Sequence, residues 1–382
     1  MYSPRAMAVT WVIGDRLTVR LEGTDKALQR HLDTQLDPYA ATPSSDAPDL
    51  VIERASQDSR PRFLDLQNPA GDGLVTAADG EQVYVVHPTG WCRVDVGTEG
   101  RTTRFTYGPG LEPGRVFASL GRPALQLALL RHGAVAVHSA AVEVSGTGVL
   151  IAGWSESGKT ETALALMEAG ARFLSDKWTI LGEDRTLTCF PIGIGVRRWA
   201  LRYLPQLRRA LPAAARAQLL GAGVAAGMAR PLRRLSGRGR VIDLAIDAAE
   251  SAVRLADRAA LQPSELLDAY GQREGWVPRS PLGVVVMLRT VPGMQVSARE
   301  VDPQSVAPRL ARSAAFERRR LFELCQRALF AMPTYEALDV EAIVEREAAI
   351  LRDVLSDARV VEVDAPFPTD PRRVVEAIGS WL

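Results

Sequence analysis

GVLIAGWSESGKTETALALMEAG, residues 148–170, is the stretch on which the fold turns. Gly153, Gly158, Lys159 and Thr160 stand at the spacing G-x-x-x-x-G-K-[ST] of a phosphate-binding loop. The flanks have the periodicities that such a loop needs. Before it, the apolar run GVLIAG (148–153) reads as a strand; after it, Ala163, Leu164, Leu166 and Met167 trace the apolar face of a helix. A strand that turns through glycines into a helix aims backbone N–H groups and the positive end of the helix dipole at one point, which suits a phosphate. In that geometry Lys159 reaches the β- and γ-phosphates and the Thr160 hydroxyl holds Mg²⁺. The competing reading is a glycine-rich turn with no ligand.

Two acids lie near this loop in sequence. Glu161 falls in the first helical turn, where the dipole favours a carboxylate whether or not a metal is present. Asp176 ends the short strand ARFLS (171–175). In open α/β sheets ligands collect beyond the carboxyl ends of strands. A carboxylate there either binds Mg²⁺, takes a proton from an acceptor hydroxyl, or simply caps a turn.

Read as one block, HSAAVEVSGTGVLIAGWSESGKTETALALMEAGARFLSDKWTIL (138–181) resembles the catalytic domain of HPr kinase/phosphorylase and its HPr kinase-like relatives. The matching residues are His138, Ser155, the loop glycines, Lys159, Thr160, Glu161, Thr162, Ala163, Leu164, Arg172 and Asp176. The upstream run RPALQLALLRHGAVAVHSA (122–140) is similar to the helix and strand that open such domains. The likeness weakens towards the C-terminus, and residues before 113 do not match the classical enzyme's N-terminal domain.

The resemblance implies an α/β fold with a P-loop, HPr kinase-like (PEP carboxykinase-like) catalytic domain over 113–382, preceded by a small β-rich domain over 1–112. It implies an ATP- and Mg²⁺-dependent serine kinase type of transferase that moves the γ-phosphoryl group to a hydroxyl of a peptide, protein or small molecule. Asp176, His138 and Lys159 would be catalytic. Gly153, Ser155, Ser157, Gly158, Lys159, Thr160 and Glu161 would contact the nucleotide, and Thr160, Glu161 and Asp176 the metal. A homo-oligomer is implied as well. One position departs from the family, which has paired acids where this chain has Asp176-Lys177. That departure keeps open a nucleotide-binding regulator with weak turnover, and the resemblance also leaves open a phosphorylase or phosphatase of a phosphoserine-type product, a reaction the classical family carries out as well. His138 has a plain structural reading too, as the end of the strand AVAV (134–137).

Phosphoryl transfer usually draws in extra cations. Arg197 and Arg198 follow a glycine-rich segment, and Arg230, Arg233, Arg234, Arg238 and Arg240 form a second basic cluster. Each cluster is either a lid over the triphosphate or a solvated basic face. His31, His87 and His132 read as surface or packing residues.

Composition excludes several classes. The net charge of +1 provides no global field for nucleic acid or for a membrane surface. Cys92, Cys189 and Cys325 are too far apart for a disulfide framework or a Cys-rich zinc site, which points to a reducing cytoplasm. No secretory signal pattern opens the chain and no apolar run is long enough for a membrane span. Short alternating segments at 8–23, 49–55, 81–88, 91–97 and 102–108 read as strands, with Trp91 and Tyr107 as core aromatics. Residues 110–133 read as one or two helices, 200–270 as largely helical, 281–291 as a buried strand, 303–332 and 339–357 as helices, 358–366 as a last strand and 370–382 as a closing helix.

Overall fold

The computed structural model describes residues 8–42, 47–55, 64–65, 75–79, 82–97, 101–229, 257–332, 335 and 338–382. It is a mixed α/β structure built on two large sheets. The first sheet uses β1 (Val9–Ile13), β2 (Leu17–Glu22), β3 (Leu50–Arg54), β4 (Leu64–Asp65), β5 (Val75–Asp79), β6 (Gln82–His87), β7 (Gly90–Asp95) and β8 (Thr103–Tyr107). Their order is β1-β2-β3-β8-β7-β6-β5-β4. Each alternating segment of the sequence falls on one or two of these strands. Trp11, Ile13, Leu17, Val19 and Leu21 are fully buried, which is the period of two that the β1–β2 hairpin needs.

One helix among these strands was not expected. In α1 (Lys26–Gln35) the Asp25 side chain accepts from the Ala27 and Leu28 N–H groups, and Leu28 and Leu32 bury one face at i, i+4. Apart from Ala27 the remaining positions of α1 are polar, so its buried stripe is only two residues wide and leaves little trace in the sequence.

Residues 113–132 carry the chain across to the second sheet through α2 (Pro113–Val116), a π-helical turn (Phe117–Gly121), α3 (Arg122–Ala128) and a 3₁₀ turn (Leu129–His132). Gly133, in the left-handed region at φ +59°, ends this run.

The second sheet contains β9 (Ala134–Val137), β10 (Ser139–Val144), β11 (Thr147–Gly153), β12 (Arg172–Ser175), β13 (Thr179–Gly182), β14 (Thr186–Cys189), β17 (Arg279–Thr290), β18 (Ser297–Glu300) and β19 (Arg359–Ala365). Between them, β15 (Ile194–Arg197) and β16 (Arg258–Leu261) form a separate two-stranded ribbon. In the main sheet β12 neighbours β10, β10 neighbours β11, and β11 runs parallel to β17, which runs parallel to β19. Because β10 is antiparallel to both β11 and β12, the end of β11, the end of β12 and the start of β10 meet on one edge. The topology thus brings the glycine loop, Asp176 and His138 together, although 38 residues separate the first of them from the last in sequence order.

Helices cover both faces. They are α4 (Lys159–Glu168), α5 (Pro205–Ala210), α6 (Ala213–Ala229), α7 (Pro263–Ala269), α8 (Pro303–Glu317), α9 (Arg319–Ala331), α10 (Val340–Leu355) and α11 (Pro371–Ile378). On one face Val149, Ile151, Val284 and Val286 pack with α4, α5, α7 and α11. On the other, Leu150, Ala152, Val285 and Met287 pack with α8 and α10. A strand buried on both faces reads as an unbroken apolar run, and GVVVML at the centre of β17 is one. A third cluster joins the two sheets: Trp11 and Phe105 of the first and Leu32 of α1 share a core with Ile180 of the second, with Trp178 and Phe190 beside its strands and with Leu324 of α9.

The expectation of a largely helical 200–270 needs correction. α5, α6 and α7 are there, but Arg258–Leu261 is a strand that pairs with Ile194–Arg197, itself read from sequence only as glycine-rich. Four-residue strands carry too few alternations to register in the sequence, and these two are stabilised by burial of Ile194, Val196, Ala259 and Leu261. The basic cluster Arg230, Arg233, Arg234, Arg238 and Arg240 lies outside the described residues. Among the described residues, no helix is long and apolar enough to cross a membrane. Cys92, Cys189 and Cys325 are buried free thiols.

Candidate functional site

The loop between β11 and α4 turns sharply, and its glycines are required where they stand. Gly153 has φ +152° and a Cβ there would lie 2.6 Å from both the Leu288 carbonyl oxygen and Ser157 Oγ. Gly158 has φ +94° and caps α4. Between them Glu156 also takes a left-handed φ of +61°. Lys159, in the first turn of α4, curls back so that its Nζ donates to the carbonyls of Gly153 (2.9 Å) and Trp154 (2.7 Å). The ammonium thus sits over the start of the loop. Burial brings the Lys159 pKa down to about 8, against the opposing pull of Asp176, Glu317 and Glu161.

Thr160 and Asp176 meet directly. The Thr160 hydroxyl donates to the Asp176 carboxylate, 2.8 Å from Oδ1 and 3.1 Å from Oδ2. Asp176 is buried, and that burial raises its pKa despite the Thr160 bond and the nearby cations. Glu161 is also buried and raised by desolvation, with Arg197 Nε 3.9 Å from its carboxylate. Among the described residues no group of three or more His, Cys, Asp or Glu side chains is placed to cage a metal. Two carboxylates and one hydroxyl are hard oxygen donors, and the phosphates and water complete such a set for Mg²⁺, which seldom takes an all-protein cage. The residues therefore fit that ion. The Ser157 hydroxyl, buried and without a partner among the described residues, is one more polar atom available to a ligand.

His138 joins β9 to β10 and is buried against the ring of Trp178, 5.4 Å between centroids. Its Nδ1 lies 3.4 Å from Ser313 Oγ and 3.7 Å from Glu317 Oε1. Burial first, then Lys159 and Lys177, push its pKa down to about 3, so the ring is neutral at any physiological pH. Lys177 adopts φ +67°, a position that Asn or Asp takes more readily than Lys. Burial, with Arg258 and Arg122 beside it, lowers the Lys177 pKa.

His138, Ser155, Ser157, Gly158, Lys159, Thr160 and Glu161 line one cavity of about 120 Å³, and Asp176 sits behind Thr160. Lys177 and Arg197 line it too. Two arginines of the sequence reading lie elsewhere. Arg172 is exposed at the start of β12, paired with Glu143 at 3.3 Å, and is not part of the cavity wall. Arg198 pairs with Asp257 at 2.6 Å and is not part of that wall either. Five wall residues had not been singled out by sequence: Glu156 within the loop, Gly195 and Arg258 from the ribbon, Glu317 at the end of α8 and Phe367 after β19. Arg258 and Glu317 sit in ordinary polar surroundings with no motif around them, so only the fold could reveal them.

No family model matches the chain, and no curated protein matches its sequence.

Proposed function

We propose that this chain is an ATP- and Mg²⁺-dependent phosphotransferase of the HPr kinase-like type that acts on a hydroxyl acceptor. The observation that carries the reading is the contact between the Thr160 hydroxyl and the Asp176 carboxylate beside the Lys159 ammonium. These are the loop hydroxyl, strand-end acid and lysine that phosphate-loop enzymes use. The α4 N-terminus and the loop N–H groups would bind the phosphates, with Ser155 and Ser157 within the cradle. Thr160, Asp176 and Glu161 would hold Mg²⁺, which neutralises charge on the phosphate oxygens. Lys159, above the loop start, would mark the γ end of the triphosphate.

At that end the wall is made by His138, Lys177 and Glu317. The neutral His138 ring can accept or donate one hydrogen bond to an incoming hydroxyl without adding charge. Next in the chain to the wall residues Ser155 and Glu317 stand Trp154 and Phe316, exposed aromatics whose rings lie 4.9 Å apart. A second reading, a nucleotide-gated regulator with slow turnover, is favoured by one observation: a lysine, Lys177, stands in the cavity where its relatives in chemistry would have a second acid.

The test uses γ-labelled ATP with Mg²⁺ and a panel of hydroxyl-bearing peptides and small molecules. Transfer by the wild-type chain that Lys159→Ala and Asp176→Asn both lose supports the kinase. Nucleotide binding without transfer to any acceptor supports the regulator. No nucleotide binding by folded wild-type protein removes both readings.

A further inference from the structure

The ribbon β15–β16 contains an arrangement that its own stability does not explain. Arg197 and Arg258 face each other in the antiparallel register. Like charges directly opposite on such a pair are destabilising. Arg197 is partly compensated, with Glu156 at 2.6 Å and Glu161 at 3.9 Å. Arg258 is not: among the described residues its guanidinium has no hydrogen-bond or ion-pair partner, yet it lines the phosphate cavity. A second observation concerns how it gets there. A Cβ on Gly195 would fall 1.6 Å from Arg258 Nε and 2.2 Å from Cζ. The Arg258 side chain therefore lies flat across the backbone of β15, through space that only a glycine leaves open.

We propose that Arg197 and Arg258 form a cross-strand clamp on the β- and γ-phosphates of the bound nucleoside triphosphate, and that Gly195 is the positioning residue that lets Arg258 reach them. The proposal rests on the nucleotide-binding reading above and names further residues that grip the substrate. The direction of the clamp follows from its neighbours. The Arg258 charge acts on Asp176, Glu161 and Lys177, the groups at the metal and γ end of the site. A planar guanidinium can hold two phosphate oxygens at once, and two of them on adjacent strands can close over the ligand from the ribbon. The triphosphate supplies the negative charge that Arg258 lacks among the described residues.

Binding of the non-hydrolysable ATP analogue with an imido β–γ bridge, measured by calorimetry with Mg²⁺, tests this. Arg258→Ala is expected to weaken binding on the order of 10–100-fold, the loss of a charge-assisted pair. Arg258→Lys should recover part of that. Gly195→Ala should weaken binding in the same direction, and the double variant should lose little beyond Arg258→Ala, because both changes remove one contact. The thermal midpoint of Arg258→Ala should stay level or rise, since one of two facing cations is gone. Analogue binding by Arg258→Ala within about twofold of wild type, while Lys159→Ala loses it, would overturn the clamp and leave the nucleotide site standing. A clear fall in the thermal midpoint of Arg258→Ala would overturn it in favour of a structural arginine. Losses that add in the double variant would overturn the role given to Gly195. Failure of the wild type to bind the analogue at all would overturn the clamp together with the reading it rests on.

Discussion

Lys159 is the residue whose chemistry reports most directly on the site. Its pKa of about 8 in the free protein reflects burial, and bound phosphate reverses that by supplying negative charge. The sign follows. Below pH 8 the lysine is already charged and binding needs no proton. Above it the lysine is neutral, so binding must take one up and affinity falls as pH rises. Calorimetry of ATP binding in buffers of different ionisation enthalpy should therefore show net proton uptake above pH 8 that fades as the pH falls below it. His138, held near 3, should contribute no limb to a pH profile in the neutral range. Lys177 makes a complementary case. Its left-handed backbone suits Asp, and it lines the cavity proposed to hold Mg²⁺, where a carboxylate would favour that ion. Lys177→Asp should lower the Mg²⁺ concentration needed for half-maximal nucleotide binding several-fold, read by titrating Mg²⁺ at fixed ATP.

At the scale of elements, one charge cluster holds a helix against the second sheet and another ties helices together. Glu362 on β19 accepts from Arg309 of α8 at 2.7 Å, Arg289 of β17 at 2.8 Å and Arg299 of β18. Burial alone would raise its pKa, but the hydrogen bonds from Arg309, Arg299 and Arg289 outweigh that and hold it at about 2. A carboxylate depressed in the folded state stabilises fully above its unfolded value and loses that contribution as pH falls towards the folded one. Glu362 should thus support the fold above about pH 4.5 and fail progressively between there and pH 2. Acid unfolding followed by circular dichroism should shift to higher pH in Glu362→Gln. The second cluster is the pair Arg318–Glu347, with side chains 0% and 1% exposed, which ties the α8–α9 junction to α10. Removing one partner strands a buried charge. Glu347→Ala should cost about 3–5 kcal/mol in denaturant unfolding, and replacing both by apolar residues of similar volume should restore much of it. Arg318 adjoins Glu317 in the cavity wall, so loss of the pair should weaken the site as well as the fold.

Across the whole molecule, the two sheets are joined by apolar burial rather than by a linker. Trp11, Leu32 and Phe105 share a core with Trp178, Ile180 and Phe190. Trp178 in turn packs on His138, and the Tyr39 hydroxyl donates to the Cys189 carbonyl at 2.9 Å. A change deep in this shared core should therefore reach the proposed phosphate cavity. Leu32→Ala is expected to destabilise by about 2–5 kcal/mol, the range for a buried leucine. Thermal unfolding monitored by circular dichroism and by loss of nucleotide binding should move together in this variant. Separate transitions, with binding unaffected, would show that the sheets unfold as independent units.

The sequence by itself determined the parts that depend on neighbours in the chain. The glycine loop is legible because Gly153, Gly158, Lys159 and Thr160 act within one turn of backbone, where spacing is geometry. The buried strands β11 and β17 and the long helices α8 and α10 are legible because their apolar period repeats often enough to be counted. The fold alone decided what depends on strand order. Asp176 met Thr160 because β10 runs antiparallel between β11 and β12. Glu317 and Arg258 reached the cavity from segments with no motif of their own, and Gly195 mattered only because a side chain from the opposite strand crosses it. A contact between residues distant in the chain is set by the packing of whole elements, and no local pattern records it.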